Sequence, residues 1–106
     1  MSDKSKPFGM EDYPIQQIKE HKFKTICEDM LKTYISKNED YGDSFSILFK
    51  KYGMTYPIIH LQEKINRIEA LQNKENKVKG ETYIDSLKDL ANYAILTLIE
   101  IDSNNI

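Results

Sequence analysis

The chain has 106 residues and a formal net charge of −2, from 15 basic and 17 acidic side chains mixed along its length. That is the length of a single domain, and so even a balance excludes a surface built to coat extended nucleic acid. With 40% hydrophobic residues a core is possible. A chain this small buries only about two-thirds of its unfolded surface, so a homodimer or higher homo-oligomer is expected.

The single cysteine, Cys27, excludes an intramolecular disulfide. It stands among apolar residues at helical spacing and is expected to be a small buried hydrophobe. Met1 to Gly9 is polar and lacks the apolar run of a signal peptide. The richest apolar stretch, Leu90 to Ile101, is interrupted by Asn92, Thr97 and Glu100, and is too short to span a bilayer. A cytoplasmic location is expected, in the producing cell or in a host if the gene is viral, with no membrane partner.

Residues 1–14 lack hydrophobic periodicity and contain Pro7 and Pro14. They are expected to form a flexible arm, with 15–106 as one helical domain. The first helix is expected from about Ile15 to Lys37. Its stripe is Phe23, Ile26, Cys27, Met30, Leu31, Tyr34 and Ile35, the i, i+3, i+4, i+7 pattern of an amphipathic helix. Asn38 to Asp43 breaks the pattern. Asp43 is placed to N-cap a short helix, Ser44 to Tyr52, whose apolar face is Phe45, Leu48, Phe49 and Tyr52. Gly53 suits the left-handed position that ends it.

Thr55 and Pro57 open a third helix, since proline is tolerated in a first turn. It runs to about Gln72, with Ile58, Leu61, Ile65 and Ile68 as its seam. Asn73 to Gly80 reads as a polar loop. A fourth helix follows from about Glu81 to Ile101, with Ile84, Leu87, Leu90, Ala91, Ala94, Ile95 and Leu98 as its apolar face. No segment alternates with the period of a strand. The expected fold is all-α: a compact antiparallel bundle of three long helices and one short one.

Three polar features could carry chemistry. On the fourth helix Glu81, Asp85, Asp89 and Asn92 share one stripe, opposite the apolar face. Like charges four apart cost a helix a few tenths of a kcal/mol. A divalent cation or a basic neighbour would reverse that; the alternative is a solvated acidic face near a helix N-terminus, which the macrodipole favours. On the third helix His60, Glu63, Lys64 and Arg67 border the seam. If the two helices are antiparallel neighbours, Glu63 could join Asp85 and Asp89 around Mg²⁺, which takes one or two carboxylates plus water and substrate phosphate. Lys64 and Arg67 would then meet phosphate. The competing account is a salt bridge from Arg67 to Asp85 or Asp89. His60 alone is a weak signal. Finally, Lys37-Asn38-Glu39-Asp40-Tyr41-Gly42 could hold a nucleobase, with Tyr41 stacking and Asn38 reading an edge, or could be a helix end followed by an Asx-type turn.

Taken together, Lys37-Asn38-x-Asp40-Tyr41-Gly42, Glu63-Lys64-Ile65-x-Arg67-Ile68, Lys79-Gly80-Glu81 and Asp85-Ser86-Leu87-x-Asp89-Leu90-Ala91-Asn92-Tyr93-Ala94 resemble the nucleotide-modification-associated domain of phages and bacteria. The resemblance covers about Phe23 to Leu98 and implies work on nucleotides. The acidic fourth helix is also similar to the all-α NTP pyrophosphatases, the MazG-like and dimeric dUTPase group, whose paired acidic motifs hold Mg²⁺ on a nucleoside triphosphate. Two departures stand out: Ser86 occupies the place of a glutamate three before Asp89, and Glu63 is followed by Asn66 rather than a second glutamate.

The resemblance implies one of two functions. The first is a Mg²⁺-dependent nucleotide pyrophosphohydrolase. Glu63, Glu81, Asp85 and Asp89 would hold the metal, and Lys64 and Arg67 the phosphates. Lys37, Asn38, Asp40, Tyr41 and Asn92 would hold the nucleotide, and water would attack an α–β phosphate bond. The second is an oligomeric binder without turnover that sequesters a nucleotide or cyclic-nucleotide signal, which the incomplete acidic motif favours. Independently of the resemblance, a plain helical interaction module also fits the sequence.

Overall fold

The computed structural model describes residues 12–41, 43–72 and 79–104. These form four helices: α1 (Asp12–Tyr41), α2 (Ser44–Tyr52), α3 (Thr55–Gln72) and α4 (Lys79–Asn104). Among the described residues there is no strand, so the all-α expectation holds, with three long helices and one short one. No described helix is long and apolar enough to cross a membrane. The expected arm falls largely outside the described residues, as do Gly42 and 73–78.

The chain divides into two units, Met1–Asp40 and Tyr41–Ile106. In the first, the described residues make a single helix. α1 begins at Asp12 rather than Ile15 and runs on through Asn38, Glu39 and Asp40 to Tyr41. The expected break at Asn38 is therefore corrected. Asn38 and Asp40 are weak helix formers, but Glu39 between them is a good one, and neither Gly nor Pro stands among them to stop the helix. Cys27 is exposed, against expectation. So are Phe23, Ile26, Leu31 and Ile35, while Met30 and Tyr34 are half-buried. A lone helix has no second element within its own unit on which to lay an apolar stripe.

In the second unit α3 and α4 are antiparallel. His60 pairs with Tyr93 and Lys64 with Asp89, so four residues down α3 is four residues up α4. α2 packs at one end of this pair, bringing Phe45 to Tyr93 and Ser46 to Glu100. The only large hydrophobic side chain driven fully inside among the described residues is Phe49, 2% exposed; Pro57, in the first turn of α3, is also buried. Pro57 has no N–H to leave unsatisfied there.

The face of α4 that meets its neighbours differs from the one expected. Ser86, Thr97 and Glu100 are buried, with Asp89, Leu90, Asn92, Tyr93 and Leu96 half-buried. Ile84, Leu87, Ala91, Ala94, Ile95 and Leu98 are exposed. On α3 the seam is likewise shifted: Pro57, His60, Leu61, Lys64 and Ile68 turn inward, while Ile58 and Ile65 are exposed. In α2, Phe45 and Leu48 are half-buried and Tyr52 is exposed. The physical reason is that the facing polar groups satisfy one another across the helix pair, so the helices meet on mixed faces rather than on their most apolar stripes.

Helix ends set the α2–α3 corner. Asp43 precedes α2 without a side-chain cap bond; its carbonyl accepts from the Ile47 amide at 3.1 Å. Gly53 closes α2 by donating its amide to the Phe49 carbonyl at 2.7 Å. Its φ of 67° is positive as expected, but ψ is −154°, away from the left-handed helical region. That combination is essentially restricted to glycine. A Cβ placed on Gly53 would meet nothing within 4 Å, so any substitution penalty lies in the backbone. Gly53→Ala is expected to destabilise the protein by about 1–3 kcal/mol, read from a shifted urea midpoint with an unchanged denaturant slope.

Candidate functional site

Inward-turned polar groups of α3 and α4 form a continuous seam. Tyr56, His60 and Lys64 recur every fourth residue, so one stripe of α3 carries them. On α4, Asp89, Tyr93, Thr97 and Glu100 make the matching stripe. Lys64 Nζ lies 3.0 Å from Asp89 Oδ2, with side-chain exposures of 24% and 42%. One turn away the His60 and Tyr93 rings stack, centroids 4.4 Å apart and planes 9° from parallel. Tyr56 meets His60 edge-on at 4.7 Å. Phe45 closes the cluster, 5.2 Å from Tyr56 and 6.2 Å from Tyr93. Such offset and edge contacts suit ring quadrupoles.

Beyond the rings, the Ser46 hydroxyl donates to Glu100 Oε1 at 3.0 Å in a buried contact. The Thr97 hydroxyl donates to the Tyr93 carbonyl at 2.6 Å, one turn back in its own helix. His60 Nδ1 also lies 3.5 Å from Glu63 Oε1. Beside the cluster, Tyr52, Thr55, Tyr56 and Ile59 line an open apolar groove of about 370 Å³. Lys51 lies over the outer ring, its Nζ 5.4 Å from the Tyr52 centroid.

The expected site residues are only partly gathered. Lys64 and Asp89 meet directly, and Asn92 is half-buried on α4. Asp89 takes Lys64 as its partner, where the sequence suggested Arg67 for the competing salt bridge. Arg67 and Asp85 are exposed. Lys37 and Asn38 are exposed on α1. The side chains of Asp40, Tyr41 and Glu81 lie outside the described residues. Of the residues that the resemblance assigns to Mg²⁺, Asp89 lies against Lys64 and Glu63 lies 3.5 Å from His60. No three His, Cys, Asp or Glu side chains converge among the described residues. The sequence reading did not single out Phe45, Ser46, Tyr56, Tyr93 or Glu100. The fourfold spacing Tyr56–His60–Lys64 against Asp89–Tyr93–Thr97 was the available signal.

Burial pushes the Tyr93 phenol above its ordinary value of 10.0. The Lys64 ammonium pulls it down, while Tyr56, Asp89 and Glu63 add to the rise. A raised value favours the neutral phenol in the folded state. Its contribution to stability is full below pH 10 and is lost as pH climbs through the folded value. In an ultraviolet phenolate titration, the difference between wild type and Tyr93→Phe is therefore expected to show one tyrosine ionising above pH 10. In alkaline melts Tyr93→Phe should lose less stability than wild type over that same window.

The seam lies within the stretch that known families recognise. Residues 37–101 match the family described as nucleotide modification associated domain 1. No curated protein and no solved structure matches the chain. The expected likeness to the all-α NTP pyrophosphatases is not shown by any of these comparisons. The matched stretch takes in α2 and α3 and most of α4, and with them Phe45, His60, Lys64, Asp89 and Tyr93. The chain belongs to the nucleotide modification associated domain 1 family.

Proposed function

We propose that the α2–α4 unit binds a nucleotide without hydrolysing it. The observation that carries this reading is the stripe of α3 itself. It runs from the Tyr52/Tyr56 groove, past His60, to the Lys64 ammonium. Tyr56 and Lys64 are eight residues apart, about 12 Å along a helix, which is the span from a base to its phosphates. The groove volume falls within the range of small-ligand pockets, roughly 300–1,000 Å³. A base in the groove would lie against the Tyr52 and Tyr56 rings. Lys64 would take phosphate, with exposed Arg67 one turn further as a second cation. Asn92, half-buried on α4, offers an amide to the same end.

Asp89 has a defined part in this scheme: it is the resting counter-ion of Lys64. Phosphate must compete with it. This separates a binder from a hydrolase, because a metal ligand and a competitor respond oppositely to loss of charge. In a binder, Asp89→Asn is expected to tighten nucleotide affinity by up to about fivefold, the equivalent of the roughly 1 kcal/mol ceiling for a half-exposed pair. In a Mg²⁺-dependent hydrolase the same substitution would abolish metal-dependent turnover.

Lys64→Ala is expected to weaken binding about tenfold to a hundredfold, the worth of a charged hydrogen bond at roughly 1.5–3 kcal/mol. Tyr52→Ala, at the far end of the groove, should weaken nucleotides but not inorganic pyrophosphate. Calorimetry of wild type and the three variants with nucleoside mono-, di- and triphosphates and cyclic dinucleotides, each with Mg²⁺ and with EDTA, reads out all of these. Binding of no nucleotide by wild type would leave a helical interaction module. Turnover that depends on Mg²⁺ and is lost in Asp89→Asn would establish the hydrolase instead.

A further inference from the structure

The outward face of α4 carries apolar side chains that its own unit leaves exposed. Ile84, Leu87 and Leu98 are 54%, 52% and 64% exposed. Ala91 and Ala94 are exposed between them, and Ile101 is half-buried at the end. These six stand at 84, 91, 98 and at 87, 94, 101, the alternating three- and four-residue spacing of a helix–helix seam. Their order is a palindrome: two large residues, two alanines, two large residues.

A palindromic seam is complementary to itself reversed. We propose that α4 is the dimer interface of this protein, pairing antiparallel with α4 of a second copy about a twofold axis between Ala91 and Ala94. In that register Ile84 faces the partner's Ile101, Leu87 faces the partner's Leu98, and Ala91 faces the partner's Ala94. Each contact occurs twice, as an isologous interface requires. The alanines stand where the two helices cross, and small residues there let axes approach toward the near end of the 8–10 Å range. Large residues at both ends close the seam on either side.

The need for such cover is visible in the fold. Among the described residues Phe49 is the one fully buried large hydrophobic side chain, together with Pro57. A standard interface takes about 800 Å² from each partner. The six-residue seam runs about 26 Å along α4, and exposed Ile95 and Ile99 widen it toward that area. The proposal is independent of nucleotide binding, because the seam lies on the face of α4 opposite Asp89 and Tyr93.

Cross-linking of the full chain tests both the partner and the register. In a Cys27→Ser background, a mixture of Leu87→Cys and Leu98→Cys chains should form disulfide-linked dimers on mild oxidation. Either variant alone should not, since its two thiols would be about 16 Å apart along the axis, beyond disulfide reach. Sedimentation of wild type should give twice 12.4 kDa. Leu98→Glu should sediment as a monomer with far-UV helicity retained. A wild-type monomer at high micromolar concentration would overturn the proposal, and would point to cover from within the chain. Cross-links in the single variants would mean a parallel pairing, and dimers without cross-links in the mixture would mean a different surface; either result overturns it.

Discussion

The ion pair between Lys64 and Asp89, with the His60–Tyr93 stack one turn away, fixes how α3 and α4 meet. Each contact alone is weak. A half-exposed salt bridge contributes about 0–1 kcal/mol, and a ring pair about 0.5–1.5 kcal/mol beyond the area it buries. Their combined effect is selective. A half-buried ammonium and carboxylate cannot be left apart without cost, and a rotation of either helix by one residue would separate both pairs. Polar matching therefore sets the rotational phase of the two helices, and the apolar residues take the positions that remain.

The inverted arrangement of faces follows from this. A helix with a mixed inner face and an aliphatic outer face is unusual for a lone domain and ordinary for a protomer. The inner seam then does two things that are often kept apart. It holds the unit together, and it supplies the cation and rings on which ligand recognition is proposed to rest. A ligand phosphate arriving at Lys64 would exchange one counter-ion for another rather than meet a vacant charge. Binding and local stability would in that way be coupled through a single carboxylate.

The sequence made the elements easy to read and the faces hard. α2 and α3 begin and end where expected because Gly53, Thr55 and Pro57 act on the backbone locally, whatever the rest of the chain does. The end of α1 is hard to place because Asn38 and Asp40 favour turns, while Glu39 favours helix and no Gly or Pro forces a stop before Gly42. Of the apolar stripes of α3 and α4, Leu61, Ile68 and Leu90 turn inward as expected, while Ile58, Ile65, Ile84, Leu87 and Leu98 face out. Periodicity shows that a stripe will be covered somewhere; it does not say by which element or which copy. Lys64 and Asp89 are each legible as charges on a polar stripe, but their pairing is not, because Arg67 is as good a partner by spacing until the register of the two helices is known. Tyr56 and Tyr93 are not legible, since a tyrosine at helical spacing reads as generic core until the facing helix is in register with it.

The buried polar residues of the second unit bear on its heat capacity. Ser46, Ser86, Thr97 and Glu100 occupy places that aliphatic side chains fill in most helical cores. Exposing apolar surface raises the heat capacity of unfolding, by about 0.45 cal/mol/K per Å², whereas exposing polar surface lowers it by about 0.26. A unit whose interior is this polar has a shallow stability curve, with little to gain from hydrophobic burial on warming and little to lose on cooling. The strongly temperature-dependent part of its thermodynamics would then belong to whatever covers Ile84, Leu87 and Leu98, so that assembly rather than folding carries the calorimetric signature of a hydrophobic core.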